Sequence, residues 1–263
     1  MNYKSIFQVF VFLILCSSLL AQTHSAIYKP INTNIKSYYE YLPEGYDNDT
    51  SDYFPLIIFS HGRGEIGNDK PLSSVLKNGI PKLINQGKFP NHFIVNNDTF
   101  KFIVISPQYF NWPSGNDLTN VLDYVEANYK VDKNRIYLTG LSMGGAVTWN
   151  NVEYSIQNAK RIAAIVPVCG ASFPKKKSGV IICAANLPVW ATHNRGDPIV
   201  PVKNTHSYVS SINKSTNSST TPAKKTIFEV NNHDAWSRTY DLNFKEDYMN
   251  IYEWMLQFER NID

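Results

Sequence analysis

Short apolar runs alternate along the chain with segments in which apolar residues recur at helical spacing. The apolar runs predict strands over residues 38–42, 55–60, 102–106, 136–139, 162–168, 187–192 and 226–230. The runs over residues 55–60 and 102–106 predict strands that are buried on both faces of a sheet. The helical pattern covers residues 75–86, 117–129, 146–155, 202–212 and 248–258. This alternation predicts one α/β domain with a mostly parallel central sheet and helices on both faces.

The segment 117–129 shows the helical pattern clearly. Leu118, Val121 and Val125 fall on one face, and Asp117 is a candidate N-cap. In a parallel sheet of this kind, reactive side chains collect on the loops beyond the carboxyl ends of the strands. The residues that follow each apolar run are therefore the candidates for chemistry.

Residues 1–21 depart from the alternation. Lys4 precedes an almost entirely apolar run over residues 6–15, and small residues follow it. This order is typical of a secretory signal peptide, and the run is too short for a stable membrane span. We expect cleavage after Ala21, or alternatively after Ala26, and a folded domain over residues 22–263.

Residues 1–21 also predict where the protein is located. We expect a secreted or periplasmic protein that does not contact the membrane after the signal peptide is removed. Cys16 offers a lipid-anchor alternative, which ranks second because Leu15 stands where lipid-anchored precursors carry a small residue.

Charge and composition exclude some partners. Lys4 is the single charged residue of the first segment, so its removal lowers the formal net charge from +3 to +2. The densest basic run is Lys175 to Lys177, which is typical of a solvated loop. This balance does not predict nucleic-acid binding. Aromatic residues make up 13% of the chain, which suits either a large core or a surface that faces carbohydrate.

Two cysteines, Cys169 and Cys183, follow the predicted signal peptide. In an oxidising compartment they could form a disulfide, and two separately buried thiols are the alternative. No Cys/His spacing resembles a zinc site, so we expect neither a metal nor a cofactor.

The segment Gly140-Leu141-Ser142-Met143-Gly144 lies between an apolar run and an alanine-containing helical segment. This order of strand, tight turn and helix is the context that a nucleophile elbow requires. Side chains at the two glycines would collide with neighbouring backbone. We therefore expect a strained Ser142 as nucleophile and the Met143 N–H, at the start of a helix, as an oxyanion donor.

A serine nucleophile needs a base, and the base needs a group that orients it. Asp197 follows the run 187–192 and His233 follows the run 226–230, so the order Ser, Asp, His matches an α/β-hydrolase. His193 and Asp234 are the competing residues. We expect His193 to pack under the acid loop, and Asp234 is adjacent to His233 in the chain and so rarely reaches its ring.

The segment 60–65, Ser-His-Gly-Arg-Gly-Glu, follows another apolar run and predicts the second oxyanion donor. The Arg63 N–H is the candidate donor, and His61 is then a structural residue. The Arg63 and Glu65 side chains could contact substrate or pair with each other at the surface, and we favour the pair.

Three aromatic residues, Tyr109, Trp112 and Trp236, follow predicted strands near the expected mouth of the site. They are candidates for substrate binding, although burial alone would also explain them. Residues 170–186 leave no room for a large lid between two predicted strands. We therefore expect an open cleft that admits a bulky or polymer-attached ester.

Together these motifs resemble secreted bacterial α/β-hydrolases related to poly(3-hydroxybutyrate) depolymerase-like, feruloyl and acetyl-xylan esterases. Such proteins are grouped as phospholipase/carboxylesterase or prolyl-oligopeptidase-like hydrolases. The similarity spans nearly the whole chain after the signal peptide and is carried by residues 39–46, 58–65, 132–145, 200–202 and 252–254.

The resemblance implies that Ser142, Asp197 and His233 form the triad and that the Arg63 and Met143 N–H groups form the oxyanion hole. The chain departs from the pattern at two places. Asn194 and Arg195 stand where these families usually have Gly-Asp, and Asn232 stands where they often have Gly. These departures could reshape the loops that carry the acid and the base.

The sequence thus predicts a secreted serine esterase that acts through an acyl-enzyme. Its substrate would be a small-molecule or polysaccharide-linked ester, with acetyl and feruloyl esters of plant polysaccharide as the first hypothesis. A serine peptidase of prolyl-oligopeptidase type is the nearest alternative, and a catalytically silent binding module is the other. The fold alone does not decide between substrates.

Overall fold

The computed structural model of the protein describes residues 22–47, 52–216 and 220–260. The predicted signal peptide, residues 1–21, lies outside them. The strands are β1 (Thr23–Ile27), β2 (Ile35–Leu42), β3 (Phe54–Ser60), β4 (Phe93–Val95), β5 (Asp98–Phe100), β6 (Ile103–Tyr109), β7 (Val131–Leu141), β8 (Ala164–Val168), β9 (Trp190–Asn194) and β10 (Lys224–Phe228). The helices are α1 (Gly79–Asn85), α2 (Gly115–Asn128), α3 (Met143–Val152), α4 (Ile156–Lys160), α5 (Ser178–Ala184), α6 (Lys203–Asn213), α7 (Trp236–Thr239) and α8 (Ile251–Met255).

The central sheet has eight strands in the order β1-β2-β6-β3-β7-β8-β9-β10. From β6 to β10 the neighbouring strands are parallel, and β1 and β2 are antiparallel additions at one edge. Strands β4 and β5 form a separate hairpin. Since the parallel strands share one direction, the loops after β3, β7, β9 and β10 meet at one edge of the sheet.

Two apolar clusters fill the space on the two faces of the sheet. Along β3, Leu56 and Ile58 belong to the cluster that also contains residues of α2, α3, α5 and α6, whereas Ile57 and Phe59 belong to the cluster beneath α1 and α8. This alternation follows from the two-residue period of a strand. Because helices cover both faces of the sheet, the run along β3 is apolar throughout.

The predicted helix over residues 75–86 is broken into two pieces. A 3-10 helix (Leu72–Lys77) precedes α1, and Asn78 lies between them. Gly79, the first residue of α1, has a φ of 63°. A side chain at Gly79 would lie within 2.4 Å of the Phe59 ring. The chain therefore changes direction at this glycine so that α1 can pack directly on β3.

The N-cap of α2 is Ser114 rather than Asp117. The Ser114 hydroxyl accepts the Asp117 N–H, and the Asp117 carboxylate accepts the Ser114 N–H in return. Asp117 is thus the third residue of a capping box, so the prediction was right about the helix and wrong about the cap.

Cys169 and Cys183 are both buried and free. The alternative of two separate thiols is therefore the one observed. Within the described residues, no helix has the length and apolar content needed to cross a membrane.

Candidate active site

The turn between β7 and α3 has the strained geometry predicted for Ser142. Its φ of 54° and ψ of −110° lie outside the regions that ordinary residues occupy. Side chains at Gly140 and Gly144 would lie 2.6 Å and 1.9 Å from the Ser60 carbonyl oxygen. Hydrogen is therefore required at both positions, and the close approach of β3 holds the turn in place.

Ser142, His233 and Asp197 are brought together at the carboxyl ends of their strands. His233 Nε2 lies 2.9 Å from Ser142 Oγ, and His233 Nδ1 lies 2.6 Å from Asp197 Oδ2. The Asp197 side chain is fully buried, whereas the His233 side chain keeps 19% of its surface exposed. This is the arrangement in which an imidazole can accept a serine proton while a carboxylate orients it.

The Asp197 carboxylate is held by more than the triad histidine. Its Oδ1 accepts the N–H groups of Ile199 and Val200 at 2.8 and 2.9 Å. His193 Nε2 lies 3.2 Å from Oδ2 and 2.9 Å from the Val200 carbonyl. Because both neighbours accept, Nε2 carries the proton, and Nδ1 accepts the Thr205 hydroxyl at 2.8 Å.

The competing residues occupy structural positions. Burial lowers the pKa of His193, which is fully buried under the acid loop as expected. Burial also lowers the pKa of His61 to about 4, and its ring accepts the Tyr109 N–H and donates to the Gly62 carbonyl. Asp234 binds the Ser237 N–H and hydroxyl instead of the His233 ring.

Two backbone segments border Ser142 where an oxyanion would form. Met143 is the first residue of α3, so its N–H has no acceptor within the helix and lies at the positive end of the helix dipole. Arg63 begins the 3-10 turn directly after β3 and lines the pocket next to Ser142. Both candidate donors therefore lie on the elements that the sequence indicated.

A pocket of about 400 Å³ opens over Ser142 and His233. Its walls are mainly apolar, with side chains from Trp112, Leu141, Ala171, Ile199, Val200 and Trp236. Trp112 is half-exposed, and Trp236 stands edge-on to the His233 ring with 5.2 Å between ring centroids. Two of the three predicted aromatic residues thus line the pocket.

Tyr109 does not line the pocket, and that prediction is wrong. It is the last residue of β6 and is fully buried, with its hydroxyl 2.9 Å from Ser60 Oγ. The strand continues beyond the predicted end because β2 pairs with it as far as Ile35, opposite Tyr109. The ring therefore packs against His61 beneath the site.

The expected surface pair between Arg63 and Glu65 is also absent from the described part of the chain. Arg63 is exposed, whereas Glu65 is buried in the pocket wall and its carboxylate accepts the Asn78 amide at 2.8 Å. Burial raises the pKa of Glu65, and its hydrogen bonds to Asn78 and Gly62 oppose that change. Asn78 also accepts the Trp236 indole N–H at 3.2 Å.

The residues that could hold a metal overlap with the triad. Within the described chain, Cys169, Asp197 and His233 are the group whose possible ligand atoms lie within 4.8 Å of one another. Burial raises the pKa of the Cys169 thiol, so the thiol remains protonated and is a weak ligand. Asp197 and His233 already bind each other, so the group fits a triad better than a metal site.

Known proteins share parts of this sequence. Residues 114–243 match the family model described as phospholipase/carboxylesterase. A bifunctional acetylxylan esterase/xylanase from Neocallimastix patriciarum is 28% identical over 83 residues, which are 32% of this chain and 11% of that protein. The chain therefore aligns with a small part of that curated relative.

Solved structures share the fold. A thermostable esterase has a TM-score of 0.62 at 21% identity, over 91% of this chain and 63% of that chain. A feruloyl esterase module from Clostridium thermocellum in complex with sinapinate has a TM-score of 0.55 at 16% identity, over 83% of each chain. The predicted α/β-hydrolase fold and the resemblance to esterases of this fold are thereby confirmed. Over residues 114–243 the chain resembles hydrolases of the carboxylesterase type.

Proposed function

We propose that this protein is a serine esterase that cleaves carboxylic esters through an acyl-enzyme. The observation that carries the proposal is the unbroken series of hydrogen bonds from Asp197 through His233 to Ser142, at the mouth of an apolar pocket. A series of this kind activates a hydroxyl that is otherwise a poor nucleophile.

In the first half of the reaction, Ser142 Oγ attacks the ester carbonyl carbon while its proton moves to His233 Nε2. Asp197 accepts the Nδ1–H and stabilises the imidazolium. The carbonyl oxygen becomes an oxyanion that faces the N–H groups of Met143 and Arg63. The bond to the alcohol oxygen then breaks, and that oxygen takes the proton from His233.

In the second half, water repeats the attack on the acyl-enzyme. His233 Nε2 removes a proton from the water, and the tetrahedral intermediate collapses to release the carboxylic acid. The proton returns to Ser142 Oγ, so the enzyme is regenerated. Each step uses side chains and backbone groups of this chain.

We further propose acetyl or feruloyl esters of plant polysaccharide as substrates. The apolar walls and the accessible Trp112 ring suit an acyl group with an aromatic or short aliphatic body. A second cavity of about 450 Å³ shares Asn78 and Trp236 with the pocket, and Lys82 and Asn243 contribute polar groups to it. A bulky alcohol therefore has space beside the reacting carbonyl. The matched acetylxylan esterase/xylanase and feruloyl esterase module favour the same substrates.

The test is a panel of acetylated xylan, methyl ferulate, p-nitrophenyl acetate and a peptide amide, assayed with the unmodified enzyme and with Ser142→Ala. We expect hydrolysis of at least one polysaccharide-type ester, little cleavage of the amide, and no activity in the variant. Preferential cleavage of the amide would instead support the peptidase alternative. Full activity of Ser142→Ala would contradict the mechanism.

The Trp112 ring can be tested separately. Trp112→Ala should raise KM for methyl ferulate by about tenfold, because a stacked aromatic contact is lost, and should leave p-nitrophenyl acetate almost unaffected. Tyr248→Ala is the matched control, since Tyr248 is 95% exposed and lies outside the pocket. Equal kinetics of Trp112→Ala and the control on methyl ferulate would exclude a role for this ring.

The proposal also includes export of the protein from the cytoplasm after cleavage of the signal peptide. Cleavage after Ala21 would leave β1 intact, whereas cleavage after Ala26 would remove most of the strand that pairs with β2. N-terminal sequencing of the protein recovered outside the cytoplasm should therefore begin at Gln22. Recovery of an unprocessed chain in the cytoplasm would argue against export.

A further inference from the structure

The loops that carry the acid and the base are joined by one buried amide. Asn194 is the last residue of β9 and is 1% exposed. Its Nδ2 donates to both the carbonyl oxygen and the side-chain oxygen of Asn232, each at 2.9 Å. Because the Asn232 carbonyl can only accept, the orientation of the Asn194 amide is fixed.

Each member of this pair is also bonded beside a triad residue. The Asn194 carbonyl accepts the Asp197 N–H at 3.4 Å. The Asn232 side-chain oxygen accepts the Asp234 N–H at 2.9 Å, so its bond spans the His233 backbone. The pair therefore connects the turn that presents the acid to the turn that presents the base.

We propose that Asn194 and Asn232 are positioning residues that fix the His233 ring against the Asp197 carboxylate. The inference rests on the proposed function, since it assigns how this chain holds its catalytic base. His233 lies on a loop beyond β10, and a small displacement of its ring would lengthen the bonds on both of its nitrogens. Both residues are among the three, with Arg195, at which the sequence departs from the pattern it otherwise resembles.

A second link between the same two loops, an exposed ion pair, provides a matched control for the buried amide pair. Arg195 and Glu229 form a bidentate ion pair across them, with Nε and Nη2 at 2.6 to 2.9 Å from the carboxylate oxygens. Their side chains are 59% and 69% exposed, so water and salt screen the pair. Loss of this pair tests whether any link between the loops suffices, or whether the buried amide is required.

The experiment is a double-mutant cycle with Asn194→Ala, Asn232→Ala and the double variant, assayed on p-nitrophenyl acetate. We expect kcat to fall about tenfold, about threefold and about tenfold respectively, with KM almost unchanged. Asn194→Ala loses both bonds to Asn232, whereas Asn232→Ala keeps the bond to the main-chain carbonyl, and the double variant has no further bond between the two residues to lose. Arg195→Ala with Glu229→Ala should keep kcat within about twofold of the unmodified enzyme. Asn232 is exposed, so its truncation tests the proposal even where Asn194→Ala lowers the yield of folded protein.

Three results would overturn the proposal: a roughly thirtyfold, additive loss in the double variant; an unchanged kcat for Asn232→Ala; or a change in KM alone. These results differ from failure of the proposed function, in which the unmodified enzyme itself would hydrolyse no ester. A merely structural role would lower the amount of folded enzyme and leave the kcat of the folded fraction unaltered.

Discussion

The two ends of the sheet each carry a cavity, and they differ in what their polar groups do. The cavity at the amino ends is the larger, at about 540 Å³, and contains Arg135 and Lys101. Arg135 is bonded to Asp132 and Glu259, and Lys101 donates to the Glu44 carbonyl. The cavity at the carboxyl ends measures about 400 Å³ and contains Ser142 and His233.

The difference shows that volume does not define a site in this molecule. At the amino ends, Arg135 of β7 binds Asp132 and Glu259, and Lys101 binds a main-chain carbonyl. At the carboxyl ends, the series of hydrogen bonds terminates in a hydroxyl that faces the pocket. The strained turn at Ser142 also lies at the carboxyl ends, where it is held between β3 and the first residues of α3. Substitutions at the carboxyl ends should therefore affect activity, whereas substitutions at the amino ends should affect stability.

The largest expected effect is at the nucleophile and its base. Ser142→Ala and His233→Ala should each lower kcat by about 10⁴-fold or more, because either change removes the proton transfer from the hydroxyl. Steady-state kinetics on p-nitrophenyl acetate would measure this. Both variants should retain the far-ultraviolet circular dichroism of the unmodified protein. A variant that retains more than about one tenth of the activity would contradict the triad.

The next effect is at the acid. Asp197→Asn should lower kcat by about 10⁴-fold, less than loss of the nucleophile or the base, since the amide keeps the shape but orients the His233 ring poorly. Asp234→Asn is the matched control, because Asp234 is adjacent to the base but binds Ser237. Similar losses in the two variants would mean that the acid has been wrongly assigned.

Sequence and structure agree best where local sterics decide the conformation. The collisions at Gly140 and Gly144 involve residues close to the turn itself and one neighbouring strand, so the motif alone predicted them. Asn78 gave no such signal, because its place in the pocket depends on a bond to Trp236, which is 158 residues away. Tyr109 was misplaced because pairing with β2, and not its own apolar run, extends β6.

Buried histidines near the site predict a stability change with pH. His61 has a pKa of about 4 in the folded protein and about 6.5 when unfolded, so between these values the unfolded chain binds more protons. The free energy of unfolding should therefore fall as pH decreases from 6.5 to 4, by about 3 kcal/mol from His61. The lowered pKa values of His193 and of His24, a half-buried residue of the edge strand β1, act in the same direction.

Urea unfolding across this pH range would measure the change. His61→Gln should flatten the dependence, because an amide can donate to the Gly62 carbonyl and accept the Tyr109 N–H without titrating. An equally steep dependence in this variant would show that other groups dominate the acid sensitivity.

The smallest effect on activity is expected at the opposite end. Arg135→Gln should leave kcat and KM within about twofold, because the amino-end cavity takes no part in the reaction. It should lower the unfolding midpoint by a few degrees, since Asp132 and Glu259 lose their partner. A large loss of activity without a loss of stability would break the distinction between the two ends.

The most direct test of the proposed triad is covalent labelling with a fluorophosphonate, followed by peptide mass mapping. We expect one label per chain, on Ser142, with labelling abolished in Ser142→Ala and strongly slowed in His233→Ala. An unlabelled native protein, or a label on any other serine, would contradict the claim that residues 142, 197 and 233 form a working catalytic triad.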